Sequence, residues 1–174
     1  MAKIVYKEGL EGQNRLECIE GIEIELLNGQ KALVYPKYKE LPLLDKERIT
    51  DWKALELTEI HALKIVDGKE LTDELLKLDS PTAKFVRQFQ FENHEDFDLP
   101  TLFATGEILD QKEDIDALAE IIKGTDLLKN NYDYLWSCCR DSPDGAWFAD
   151  GNSGFFDNHF LYAELLAVPT KIYK

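Results

Sequence analysis

Hydrophobic and polar positions alternate with a period near two at the start of the chain. In Gly21-Ile22-Glu23-Ile24-Glu25-Leu26 the apolar residues fall on one face and the glutamates on the other. Asn28-Gly29 is a strong short turn signal, and Lys31-Ala32-Leu33-Val34-Tyr35 returns the alternation. The pattern predicts a hairpin inside an N-terminal strand region over residues 3–38, ended by Pro36, Pro42 and the polar residues between them. From Asp45 to Gln90 the period is less clean. Thr58 to Val66 reads as one helical stretch closed by Asp67-Gly68, and Thr72 to Leu78 as another with Thr72 as its cap. Ser80-Pro81 is a clearer start, with serine as N-cap and proline in the first turn of a helix that carries Phe85, Val86 and Phe89 on one side.

Two more helices are predicted beyond Phe97. Pro100 blocks a helix upstream and Thr101 caps the next one, with Leu102, Ile108 and Leu109 as candidate buried positions. From about Lys112 to Lys123, Ile115, Leu118, Ile121 and Ile122 recur at helical spacing, acidic residues crowd the first turn, and Gly124 stands where a C-terminal stop belongs. The block from Tyr132 to Lys174 then alternates aromatic and apolar clusters with turn residues. Leu135-Trp136, Asp144-Gly145, Ala146-Trp147-Phe148, Gly151 to Gly154 and Phe155-Phe156 predict short antiparallel strands joined by tight turns. Trp136 and Trp147 are expected on neighbouring strands, as core anchors.

Composition narrows the class. With 44% hydrophobic and 11% aromatic residues in 174, the chain buries a sizeable core and is not disordered. It contains no internal repeat, low-complexity run or flexible linker, so one compact domain over 1–174 is expected, with a hairpin and helical portion over 1–96 and a second portion over 97–174. Acidic residues outnumber basic ones, 34 to 20, for a net charge of −14. Such a surface repels nucleic-acid phosphates and anionic lipid, and the scattered lysines form no basic patch to reverse this. No apolar run approaches a bilayer span, and the apolar stretch between Lys3 and Lys7 is too short for a secretory signal. The three cysteines, Cys18, Cys138 and Cys139, are odd in number and include an adjacent pair, which suits a reducing compartment better than a disulfide framework. A cytoplasmic location is the expectation.

Several short motifs of the second portion are shared with a known group. Leu99-Pro100-Thr101 opens a helix; Tyr134, Trp136 and Ser137 mark one strand, Ala146 and Trp147 the next; Gly151 or Gly154 turns the chain; and Val168-Pro169 precedes the end. Over roughly residues 97–174 this resembles the bacterial Lcl C-terminal-type domains, of the C-type-lectin-like class and distantly similar in fold to the formylglycine-generating sulfatase-modifying enzymes. The resemblance implies an α+β fold in which two helices flank a small, twisted, mostly antiparallel sheet, with ligand-binding loops on one face, in a bacterial or phage-related protein. The chain departs from it in places. Ala167 and Thr170-Lys171 stand where the family carries arginines around Val-Pro, and the Glu-Pro-Asn-like and Trp-Asn-Asp-like triplets of calcium-dependent sugar binders are missing. The acidic balance also opposes the sulfated glycans that some members look built to bind.

Candidate chemistry is sparse. Cys138 or Cys139 with His159, and with Asp157 nearby in sequence, would make an activated thiolate if the strands brought them together. Neighbouring strand residues point to opposite faces, so at most one thiol is expected to reach a site, and buried thiols are the simpler reading. The modifying enzymes of this fold use two cysteines separated along the chain, which the adjacent pair does not reproduce. Asp141, Asp144 and Asp150 supply hard oxygen ligands on turns, which makes calcium the one cofactor to consider. Asp150-Gly151-Asn152-Ser153-Gly154 nevertheless fails the EF-hand pattern, since the glycine comes one position early and Leu161 occupies the place of the bidentate glutamate. His61 and His94 lack ligand partners at metal spacing and read as surface or packing residues. Phe156, Phe160, Tyr162 and Asp157 are the favoured contact residues, for a protein or carbohydrate partner. No phosphate-cradling glycine loop, serine elbow or His-Glu-x-x-His motif is present. The leading expectation is therefore a non-enzymatic binding or assembly domain. A cysteine- or metal-dependent enzyme and a self-associating structural protein, paired through an open edge of the N-terminal hairpin, are the alternatives.

Overall fold

A computed structural model describes residues 2–49, 57–89, 96–125 and 134–173, so the expectation for His94 lies outside the described residues. The fold is α+β: among the described residues five α-helices accompany two sheets, neither of them closed into a barrel. The first sheet runs in the order β1 (Lys3–Tyr6), β2 (Ile19–Glu25), β3 (Lys31–Val34) and β9 (Thr170–Tyr173), all antiparallel. β2 and β3 form the predicted hairpin, with Ile22 facing Val34 and Ile24 facing Ala32 across it. Gly29 takes φ +80° in the turn, a conformation that favours glycine at this point. Both hairpin strands are interior, however, because β1 covers one side and β9 the other. The hairpin strands β2 and β3 thus have no open edge of their own, and the edge that the N-terminal strand region contributes to this sheet is β1. Glu23 at its centre accepts from Lys3 (3.0 Å), Lys31 (3.2 Å) and the Tyr173 hydroxyl, which links strands from both ends of the chain.

The second sheet has the order β4 (Lys39–Pro42), β8 (Glu164–Ala167), β5 (Tyr134–Arg140), β6 (Gly145–Asp150) and β7 (Phe156–Phe160). Its ladders are antiparallel except for one parallel pairing of Leu135 with Leu166. β5 and β6 place Trp136 and Trp147 on neighbouring strands, as expected. Trp136 is fully buried and donates from Nε1 to the Leu41 carbonyl at 3.0 Å. Trp147 is half-buried and donates to the Leu57 carbonyl at 2.7 Å, so each indole N–H finds a partner within reach of its apolar packing.

Five helices lie against these sheets: α1 (Glu59–Ala62), α2 (Lys69–Lys77), α3 (Pro81–Val86), α4 (Leu102–Asp110) and α5 (Lys112–Ile121). Ser80 and Thr101 act as the caps read from sequence, their hydroxyls accepting from Ala83 and Ala104 N–H respectively. Four expectations change. The stretch 58–66 yields only the single turn of α1. Thr72 lies inside α2 instead of capping it: its hydroxyl donates to the Gly68 carbonyl and accepts from Leu99 N–H, which anchors the helix to the strand approach at Leu99. At the end of α5 the left-handed residue is Lys123 (φ +57°), while Gly124 is required for space, since a Cβ there would lie 2.9 Å from the Pro36 carbonyl oxygen. Ile121, expected in the core, is 49% exposed; Ile115 and Ile122 carry the buried stripe.

Two apolar clusters result. One gathers Leu43, Leu44, Leu75, Leu99, Leu102, Trp136 and both adjacent cysteines, and the other gathers the hairpin isoleucines with Ile108, Ile115, Ile122, Leu135 and Val168. Strands from the first and last portions of the chain share both sheets.

Candidate functional site

β7 lies at the outer edge of the second sheet, where its ladder partner is β6. The turn that leads into it is built by Asp150. Its Oδ1 accepts from the Asn152 N–H (2.8 Å) and its Oδ2 from the Ser153 hydroxyl (2.6 Å), and Gly154 at φ +72° completes the reversal. Burial is the largest single influence and raises the Asp150 carboxyl, but the hydrogen bonds from Ser153 and Asn152, with the Lys112 charge, together outweigh it and hold the carboxyl below its usual range. Asp150, one of the candidate metal ligands, is thus also the acceptor that shapes this hairpin turn.

The backbone of β7 presents alternate residues outward. Asp144 O with Leu161 N–H, and Asp150 N–H with Phe155 O, set the ladder so that residues 155, 157, 159 and 161 turn their peptide groups toward β6. Phe156, Asn158 and Phe160 then turn theirs toward the open side. Two of these outward donors are held by the preceding side chain: Asn158 N–H by Asp157 Oδ1 and Phe160 N–H by His159 Nδ1, both at 2.8 Å. Phe160 O accepts from Ala163 N–H in the following turn. Edge strands expose pairing groups, and local side chains here occupy two of them.

Aromatic residues border this edge. Phe155 is 73% exposed, Phe160 53% and Tyr162 49%. The Phe160 and Tyr162 rings stack with centroids 5.4 Å apart and planes 4° apart, and His159 meets Phe160 edge-on at 5.9 Å. Phe156 is the anchored member: its ring tip would lie 2.9 Å from a Cβ on Gly106, so the glycine in α4 makes room for it. Asp157, Asn158 and His159 are exposed. Along this edge, one cleft of about 340 Å³ is lined by Asp144, Phe148, Asp157, Asn158, His159 and Phe160. A second of about 330 Å³, lined by Glu40, Tyr134, Glu164 and Leu166, also reaches His159.

The structure thus brings Asp144, Asp157 and Phe160 to one cleft, with Tyr162 stacked on Phe160, and sets Phe156 and Asp150 beside it on the hairpin. Asp141 is linked to Asp144 through Ser142, whose hydroxyl lies 3.2 Å from Asp141 Oδ1 and 2.9 Å from Asp144 Oδ1, and burial raises the Asp141 carboxyl above the usual value. Among the described residues no three His, Cys, Asp or Glu side chains converge as ligands of a metal ion.

The thiols occupy different surroundings from His159. Cys138 and Cys139 are both buried in the same apolar cluster, whereas His159 is exposed on β7. Strand alternation would have separated the two thiols, but β5 carries an irregularity in which Trp136 faces Phe148 and Arg140 faces Ala146, so Ser137, Cys138 and Cys139 bulge opposite Trp147. Ser137 closes the bulge by donating to Trp147 O and accepting from Cys139 N–H, while Cys138 N–H reaches Pro100 O. Its hydrogen bond with Cys139, together with burial, pushes the Cys138 thiol well above its ordinary value. That makes Cys138 a poor nucleophile, while the same hydrogen bond lowers the Cys139 thiol against the effect of its burial.

Sequence reasoning singled out Phe156, Asp157, Phe160 and Tyr162 but missed Asn158 and the role of His159 at the edge. The signal was present: Phe-Asp-Asn-His-Phe at 156–160 is aromatic at both ends, oppositely functional at its second and fourth positions, and amide-bearing at its centre. Comparison with protein-family models, curated proteins and solved structures finds no match to this chain.

Proposed function

We propose that the protein is a non-enzymatic binding or assembly domain whose contact surface is the β7 edge with the aromatic residues at its two ends. The observation that carries this reading is the exposure of Phe155, Phe160 and Tyr162 around an edge strand with outward peptide groups. Large apolar side chains gathered at one rim mark interaction surfaces, and an edge strand favours a polypeptide partner over a sugar because it offers main-chain pairing. The placement of both thiols in the core argues against the cysteine-dependent enzyme.

The C-type-lectin-like class, and kinship with the Lcl C-terminal-type domains over 97–174, belong to the same proposal. They are supported by α4 following Leu99-Pro100-Thr101, by α4 packing on β5 and β6, and by the mostly antiparallel second sheet. Three buried free thiols suit a reducing compartment, which supports the cytoplasmic reading. Among the described residues no helix is long and apolar enough to cross a membrane.

A photo-crosslinking amino acid placed at Phe160 in the producing cell tests the surface, with the same probe at exposed Lys77 on α2 as control. Adducts of defined mass from position 160, and none from position 77, are expected. Equal labelling at both positions, or none at position 160, would overturn the reading.

A further inference from the structure

We infer that the partner of the β7 edge is a second copy of this chain, joined β7 to β7 in antiparallel register about a two-fold axis through Asn158. This rests on the proposed contact surface and names its occupant. A two-fold interface requires a patch that complements itself, so that residue i meets j and j meets i. Residues 156–160 satisfy that condition. In this register Asn158 faces Asn158 of the second copy, Phe156 faces its Phe160, and Asp157 faces its His159, each of the last two pairs occurring twice. Opposed aromatic residues and opposed carboxylate and imidazole groups are favourable cross-strand pairs.

The backbone agrees with the side chains. Phe156, Asn158 and Phe160 are the residues whose peptide groups point outward, so the two Asn158 residues exchange both of their hydrogen bonds, and Phe160 N–H of each copy meets Phe156 C=O of the other. A slip of one residue would bring inward-turned peptide groups into the interface and lose this match. In the single chain Asp157 and His159 hold the outward amides of Asn158 and Phe160. Pairing releases both side chains, and each becomes free to meet the other type across the axis. The exposed rings at the ends are accounted for as well: the register puts Phe155 opposite residue 161 of the second copy, beside its stacked Phe160 and Tyr162. The product is a ten-stranded sheet made by joining two five-stranded ones at their open edges.

Sedimentation velocity of the full chain over about a hundredfold range of concentration tests the pairing, since a self-associating edge must shift from monomer to dimer with concentration. Asn158→Pro removes the outward N–H, together with its bond to Asp157 Oδ1, and spares the inward groups that pair with β6, so this variant is expected to stay monomeric throughout. His159→Asp opposes like charges at two places and is expected to raise the dissociation constant about tenfold. The double exchange Asp157→His with His159→Asp restores the opposed pairs and is expected to return it to within about threefold of the original. Circular dichroism of each variant separates loss of pairing from loss of fold. A chain that stays monomeric at every concentration, a dimer indifferent to Asn158→Pro, or a double exchange no better than His159→Asp would overturn self-pairing. With a monomeric chain, a crosslink from Phe160 to a protein of another mass would keep the contact surface and discard only the second copy. The lack of any adduct would discard both.

Discussion

Asp98 lies beside the Arg87 guanidinium at 2.7 Å, with only 5% of its side chain exposed. Burial outweighs the attraction of Arg87 and Lys171, and its carboxyl is raised from 3.8 to about 6. The folded chain therefore holds this proton more tightly than the unfolded chain does. The stability this contributes is fully present below about 3.8 and is lost as pH rises through about 6. At about 1.36 kcal/mol per pH unit between the two values, the loss amounts to about 3 kcal/mol. Asp98→Asn does not suffer it, and Arg87 keeps Asp73 and Asp96 as partners. Urea unfolding at pH 4 and pH 8 should show the variant gaining on the parent as pH rises, and a parent that gains on the variant would contradict the assignment. Nothing in the sequence around Asp98 announces this, because Arg87 and Lys171 reach it only through tertiary packing. Among the residues singled out from sequence, by contrast, Asp150 accepts hydrogen bonds within its own turn and the adjacent cysteines pack in the core.

Elements with local signals were legible. The hairpin, the Ser80 and Thr101 caps and the α5 stripe each follow from residues close in sequence. The caps differ in weight, since Ser80 also donates to the buried Leu43 carbonyl at 2.5 Å, whereas Thr101 makes the cap bond to Ala104. Thermal or chemical unfolding is expected to show Thr101→Ala losing about 1 kcal/mol and Ser80→Ala losing more, because it leaves a buried carbonyl without its donor. Equal losses would contradict the second role of Ser80. The start of α2 was misread because its anchor is distant: Thr72 serves Leu99, and Gly68 lies so near that strand approach that a Cβ would come within 2.3 Å of Leu99 O. Gly68→Ala should cost about 1 to 3 kcal/mol through overpacking, against the small gain alanine ordinarily brings, and a more stable variant would refute this contact. The β5 bulge was illegible for a similar reason, since Pro100 and Trp147 supply the backbone partners that permit it.

Across the whole molecule, the order of strands was the part that local patterns could not supply. Period-two alternation identifies β2 and β3 but not that β9 closes one side of them, nor that β4 joins a sheet otherwise made from the last third of the chain. That placement encloses the β2–β3 hairpin and leaves β1, β9, β4 and β7 as the edge strands of the two sheets. The net charge of −14 opposes any meeting of two copies, and salt screens this repulsion more than it weakens two short contacts at the axis. The dimer fraction measured by sedimentation is accordingly expected to rise from low to moderate sodium chloride, and a fall would point to an interface held chiefly by exposed ion pairs. The most direct measurement is amide hydrogen exchange followed by NMR at low and high protein concentration. The outward N–H groups of Asn158 and Phe160 should exchange more slowly at high concentration while those of Asp157 and His159, already bonded to β6, stay constant. Equal rates at both concentrations for Asn158 and Phe160 would contradict pairing at the β7 edge.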